Sequence, residues 1–136
     1  MSRDALLYVA DVVAAGEAIP CYIDGVTYDA FAANDEKRAA VERQVFVIGE
    51  AAARLPDDWK QRCPEVPWRK IIGLRNLLAH GYWVIDAEEL WDVARNKFPS
   101  SSRNSDRSWN AGRRAERLED LAASDHPRQL AHGTGT

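Results

Sequence analysis

Along the first hundred positions, apolar residues recur at intervals of three and four, the repeat of helices with one buried face rather than the alternation of strands. From Ser2, a side chain suited to an N-cap, Leu6, Val9 and Val13, with Leu7 beside them, mark such a stripe. It predicts a helix from about Ser2 to about Ile19, ended by Pro20. The segment YIDGVTYDAFAAN then offers a turn at Asp24 and Gly25, and an N-cap at Thr27 for a short helix carrying Tyr28 and Phe31. The longest regular stretch begins at Asp35, where Val41, Val45, Ile48, Ala52 and Leu55 share one side and charges gather in the first turn and at Arg54. Pro56 closes it, and DDWKQRC reads as another short helical turn. Pro67 suits a first helical position, so the next helix begins near Trp68. Asp86 caps a last helix in which Leu90, Trp91 and Ala94 face inward, with Glu88 and Glu89 in the dipole-favoured first turn and Pro99 near its limit.

Six helical segments and no alternating run predict an all-α chain, and 136 residues suit one ordinary domain. Alanine is abundant, which agrees with helices. A formal net charge of −3 gives no overall attraction for nucleic acid, so any RNA contact has to rest on a local basic patch. Cys21 and Cys63 form neither a CxxC nor a Cys/His metal pattern, and reduced thiols in a cytoplasmic protein are the simplest expectation. Arg3, Asp4 and Asp11 interrupt the N-terminal segment as a signal core. No run is expected to be long and apolar enough for a bilayer, so no membrane partner is expected. From about residue 101 to 136 the composition turns to Ser, Arg, Asp and Gly with few large aliphatics, which predicts a polar, mobile tail after a helical domain over residues 1–100.

The chemistry of interest lies in RNLLAHGY, residues 75–82. On a helix Asn76 and His80 share a face, whereas Arg75 and His80 diverge by about 140°. Ile71, Ile72, Leu74, Leu77 and Leu78 anchor this helix, leaving Arg75, Asn76 and His80 as polar groups on or beside an apolar seam. One explanation is a helix C-terminus, with Gly81 as a left-handed cap and Arg75 snorkelling to solvent. The other is phosphodiester chemistry, in which an arginine stabilises a charged phosphorane and a histidine moves a proton near neutral pH. Spacing alone leaves both open. Arg43 and Glu50 on the long helix read as solvated charges, with support of a cleft as the alternative. Trp59, Trp68 and Trp91 read as packing residues, and the acidic pairs Asp57–Asp58 and Glu88–Glu89 as helix starts.

The motif resembles the signature of HEPN-domain ribonucleases, with Arg75, Asn76 and His80 in the positions of the arginine, the following polar residue and the histidine. Tyr82 makes it similar to the HepT-like branch, in which arginine, four residues, histidine, one residue and tyrosine occur together. RDALLYVADVVAA, DGVTYDAF, AVERQVFVIGEAAARLP, PEVPWRKIIGLRN and VIDAEELWDVARNKFP look like this branch in order and spacing, to Pro99 and no further.

What the resemblance implies is a HEPN-type up-and-down helical bundle, assembled as a two-fold homodimer. It implies a ribonuclease toxin of a toxin–antitoxin module that cuts RNA without a metal or other cofactor, with an MNT-type nucleotidyltransferase as antitoxin. Arg75 and His80 are then the catalytic pair, Asn76 supports them by orienting His80 or the RNA, and Tyr82 is the site of O-AMP modification. In such a dimer, Arg75 and His80 of both chains line one cleft although they diverge on one helix. The other function class is a helical module on the same scaffold that binds RNA or protein without cutting.

Overall fold

The computed structural model describes residues 2–81 and 85–99. Six helices follow one another: α1 (Ser2–Ile23), α2 (Tyr28–Ala32), α3 (Asp35–Arg54), α4 (Asp57–Gln61), α5 (Trp68–Ala79) and α6 (Ala87–Ala94). No strand occurs among the described residues, so the all-α expectation holds. Tyr82 and the expected tail over residues 101–136 lie outside the described residues.

Polar caps begin α2 and α6 where the sequence placed them, and Asn34, which the sequence reading does not single out, caps α3. Thr27 Oγ1 accepts from the Ala30 N–H at 3.2 Å, Asn34 Oδ1 from Lys37 at 3.0 Å, and Asp86 Oδ1 from Glu88 at 3.0 Å, each satisfying a first-turn donor. Gly25, with φ +68°, makes the turn between α1 and α2.

The centre of the fold is α3, which packs against α1 on one side and α5 on the other. Its stripe of Val41, Val45, Ile48 and Ala52 is fully buried, meeting Val9, Val12 and Ile19 of α1 and Ile71 and Leu74 of α5 in one core. The α1–α3 pair is antiparallel: Lys37 Nζ donates to the Tyr22 carbonyl at 3.0 Å, and Gln44 Nε2 to the Tyr22 hydroxyl at 3.3 Å. Trp91 of α6 leans on Phe31 of α2 with ring centroids 5.1 Å apart and meets the edge of Tyr28 at 6.1 Å. Trp68 Nε1 donates to the Lys60 and Cys63 carbonyls, both at 3.0 Å, which ties α4 to the start of α5. Trp59, Trp68 and Trp91 therefore act as packing residues, Trp59 fully buried and Trp68 and Trp91 lying partly buried on the core.

Three expectations are corrected. Pro20 does not end α1, which continues to Ile23. Proline removes the bond to the Gly16 carbonyl, a cost of about 3 kcal/mol in an ordinary helix interior. Buried Ile19, partly buried Tyr22 and Ile23, and the bonds from α3 to Tyr22 hold the last turn nevertheless. Ala5–Ile23, with mean hydropathy 1.5, is also long and apolar enough by length and composition to cross a bilayer, contrary to expectation. Here its buried stripe is taken up by α3. Leu7, read as a possible member of that stripe, is 59% exposed, and Val12 takes its place.

Beyond α6 the chain returns across α1 and seats Phe98 over Gly16. A Cβ on Gly16 would lie 2.5 Å from Phe98 Cβ and 3.3 Å from its Cγ, so only glycine leaves room for this ring. Phe98→Ala is expected to cost about 3–5 kcal/mol, read as a lowered denaturant midpoint with unchanged m-value. A midpoint equal to wild type would show that Phe98 anchors nothing.

Candidate functional site

Helix α5 carries the motif, and its approach to α3 sets the position of Arg75. Gly49 of α3 is buried at the crossing. An added Cβ there would meet Arg75 Cβ, lie 2.9 Å from its Cγ and fall 3.2 Å from the Ile71 carbonyl. With no side chain in the way, Arg75 lies across α3 and its Nε donates to Glu50 Oε1 at 2.6 Å. The other oxygen of Glu50 accepts from Arg54 Nη1 at 2.7 Å. Arg75 Nη1 in turn donates to Asn76 Oδ1 at 2.6 Å. A chain of charge-assisted bonds thus runs Arg54, Glu50, Arg75, Asn76 along the seam of two helices.

Two guanidiniums share one carboxylate, so the group keeps a net positive charge on a protein that is acidic overall. The hydrogen bond from Arg54, joined by that from Arg75 and the charge of both, holds the Glu50 carboxyl below the usual carboxylate range against the opposing effect of burial. The resulting stabilisation is present above the ordinary carboxylate pKa and is lost only as pH falls through the lowered folded value. Around neutral pH the clamp stands intact.

His80 is the C-cap of α5, its N–H donating to the Asn76 carbonyl at 3.1 Å, and Gly81 follows with φ +81° and an N–H to the Leu78 carbonyl at 3.2 Å. This is the left-handed glycine cap of a helix C-terminus. The imidazole is exposed, and no described side chain hydrogen-bonds to it. The helix-end reading of His80 and Gly81 therefore holds, while the same reading's Arg75 does not: instead of snorkelling it is pinned to Glu50. Asn76 holds Arg75 rather than His80. Glu50 had been read as a solvated charge, and the signal for its role lay in register, since it stands one residue from the glycine that admits α5.

The outward face of α5 is unusual for a surface helix. Gly73, Leu77 and His80 lie on it at helical spacing, Leu77 is 43% exposed, and a Cβ at Gly73 would meet nothing within 4 Å. Glycine in a helix interior costs about 1 kcal/mol relative to alanine, and nothing among the described residues requires it. Among the described residues no three His, Cys, Asp or Glu side chains converge as a metal-binding group.

The sequence model of the family described as "Ribonuclease HepT-like" matches residues 14–107, beginning within α1 and running beyond Pro99. A Thermococcus cleftensis protein named "Probable ribonuclease HepT" is 32% identical over 100 residues, covering 74% of this chain and 91% of its own. A Methanocaldococcus jannaschii protein provisionally named RNase MJ0127 is 34% identical over 98 residues, covering 72% of this chain and 81% of its own. A second M. jannaschii protein, provisionally named RNase MJ1380, is 32% identical over 97 residues, covering 71% and 89%. No solved structure matches the chain significantly. An all-helical bundle with the arginine–histidine motif at the end of α5, a family match over most of that bundle and relatives carrying ribonuclease names together make this chain a member of the HepT-like ribonuclease family.

Proposed function

We propose that the chain is a metal-independent endoribonuclease, acting in the cytoplasm as the toxin of a toxin–antitoxin module. The observation that carries this reading is the pairing, on one helix, of an arginine fixed by Glu50 and Asn76 with an exposed histidine at the helix end. Arg75 has further N–H donors beyond its bonds to Glu50 and Asn76, and these suit two oxygens of a phosphate. The net positive charge it shares with Arg54 favours the anionic phosphorane more than the ground-state diester.

The reaction is an internal transfer. The 2′-hydroxyl attacks the adjacent phosphorus, its proton passes to a base, and the bond to the 5′-oxygen breaks as that oxygen takes a proton. The products are a 2′,3′-cyclic phosphate and a 5′-hydroxyl. His80 supplies the proton transfer and Arg75 the charge stabilisation, while Glu50 and Asn76 set Arg75 in place. Because Arg75 and His80 point about 140° apart on one helix, the site is completed by a second copy, which brings both pairs into one cleft.

Tyr82, two residues beyond His80, is the proposed control point. A nucleotidyltransferase antitoxin transfers AMP from ATP to its phenolic oxygen, with loss of pyrophosphate. The added phosphate then competes with the scissile phosphate for Arg75.

Purified protein incubated with mixed transfer and messenger RNA in EDTA is expected to yield cyclic-phosphate ends, and His80→Ala to abolish them with the helical spectrum unchanged. Intact RNA from folded wild-type protein would point instead to a module that binds without cutting. Glu50→Ala is expected to lower cleavage by about 10- to 100-fold, since it frees Arg75 from its place; wild-type rates would remove the clamp from the mechanism.

For the control point, intact-protein mass spectrometry after coexpression with a neighbouring nucleotidyltransferase is expected to give one or more AMP masses mapping to Tyr82 and absent in Tyr82→Phe. Neutralisation that persists in Tyr82→Phe without an adduct would mean that the antitoxin acts by covering the site.

A further inference from the structure

Beside the motif, where the N-terminal half of α3 runs along the end of α5, lies a groove of about 340 Å³ lined by Ala39, Glu42, Arg43, Phe46, Leu78 and Ala79. The four α3 residues stand at i, i+3, i+4 and i+7, so they form a single stripe facing the last turn of α5. Most of the lining is apolar. Phe46 packs part of its ring on the core, and Ala39 and Ala79 contribute only methyl groups. The polar components are one carboxylate and one guanidinium. Glu42 is half-buried and Arg43 exposed, and no ion pair to Arg43 occurs among the described residues. Burial raises the Glu42 carboxyl above its ordinary pKa, an effect partly offset by the charge of Arg38. The carboxylate has Arg38 as a charged neighbour and no hydrogen bond from a described side chain, so its oxygens are open to a donor.

Position ties the groove to the chemistry. Ala79, part of its wall, immediately precedes His80, and the two side chains diverge by about 100° on the helix. Ala79 also stands four residues beyond Arg75 and so on the same side of α5, which puts the groove about one helical turn, roughly 5.4 Å, from a phosphate held by Arg75. The groove lies where α5 faces α3, away from the exposed Gly73, Leu77 and His80 face.

Resting on the ribonuclease reading, we infer that this groove is a nucleobase subsite of single-stranded RNA, with the base flanking the scissile phosphate stacked on Phe46 and its exocyclic amino group donating to Glu42. Arg43 at the rim pairs with the next phosphate. A carboxylate repels phosphate and accepts from amino groups, so the groove takes a base rather than a phosphate. It prefers bases that present an amino group, guanine, cytosine or adenine, over uracil. Stacking on a phenylalanine adds affinity for any base, and the carboxylate adds selection.

The test uses full-length wild-type protein, Glu42→Gln, Phe46→Leu and Arg43→Ala on a pool of short RNAs randomised around one cleavable step, with sequencing of the ends and sedimentation of each protein. Wild type is expected to favour amino-bearing bases at one flanking position. Glu42→Gln is expected to change that preference about tenfold or more, and Phe46→Leu, which keeps an apolar plug, to raise KM about tenfold with little change in kcat. Cleavage by every protein with one shared end distribution would overturn the subsite and leave the ribonuclease reading standing. Failure of wild type to cut any member of the pool would overturn both. Loss of a dimer in Phe46→Leu or Glu42→Gln would assign the groove to contact between copies and likewise remove the subsite.

Discussion

The close approach of α5 to α3 at Gly49 governs the position of everything chemical in this chain. A side chain at that position would collide with Arg75 and press on the Ile71 carbonyl, so α5 would have to lift or rotate. With glycine there, the two helices lie near enough for Arg75 to reach Glu50 across the seam, and the same approach buries Ile71, Leu74 and Leu78 against the stripe of α3. Packing and electrostatics are satisfied together. The arginine gains a fixed orientation because its carboxylate partner is itself held by Arg54 from the next turn of α3.

That arrangement accounts for how an acidic protein could handle an anion. The charge that matters is local: a carboxylate divided between two guanidiniums leaves positive character at the helix seam. The histidine is treated differently, exposed at the capped end of α5 and without a described side-chain hydrogen-bond partner to fix its ring. One member of the pair is pre-set and the other is, among the described residues, not held. In the proposed assembly a second copy completes the site.

Much of the fold was legible in the sequence because it rests on local rules. The stripe from Val41 to Leu55, the caps at Thr27 and Asp86 and the turn at Gly25 follow from side-chain spacing and hydrogen-bonding capacity, and each appears where the pattern put it. Pro20 was misread because its local cost is outweighed by contacts from α3, some fifteen residues and more along the chain. Glu50 was underread for a related reason: a half-exposed acid on a charged helix looks solvated until its neighbour Gly49 is known to admit another helix. The candidate site was located by motif, yet its mechanics depend on a contact between residues twenty-five positions apart, which one sequence does not reveal.

The claim at the centre of this account is that Arg75 and His80 act together across two copies of the chain. A mixed dimer tests it directly, made by coexpressing an Arg75→Ala chain and a His80→Ala chain with different tags and purifying the species that carries both. Either variant alone is expected to be inactive on RNA. The account predicts that the mixed dimer regains cleavage, because the intact arginine of one chain and the intact histidine of the other meet in one cleft. A mixed dimer as inactive as both parents, confirmed as folded and dimeric, would contradict it.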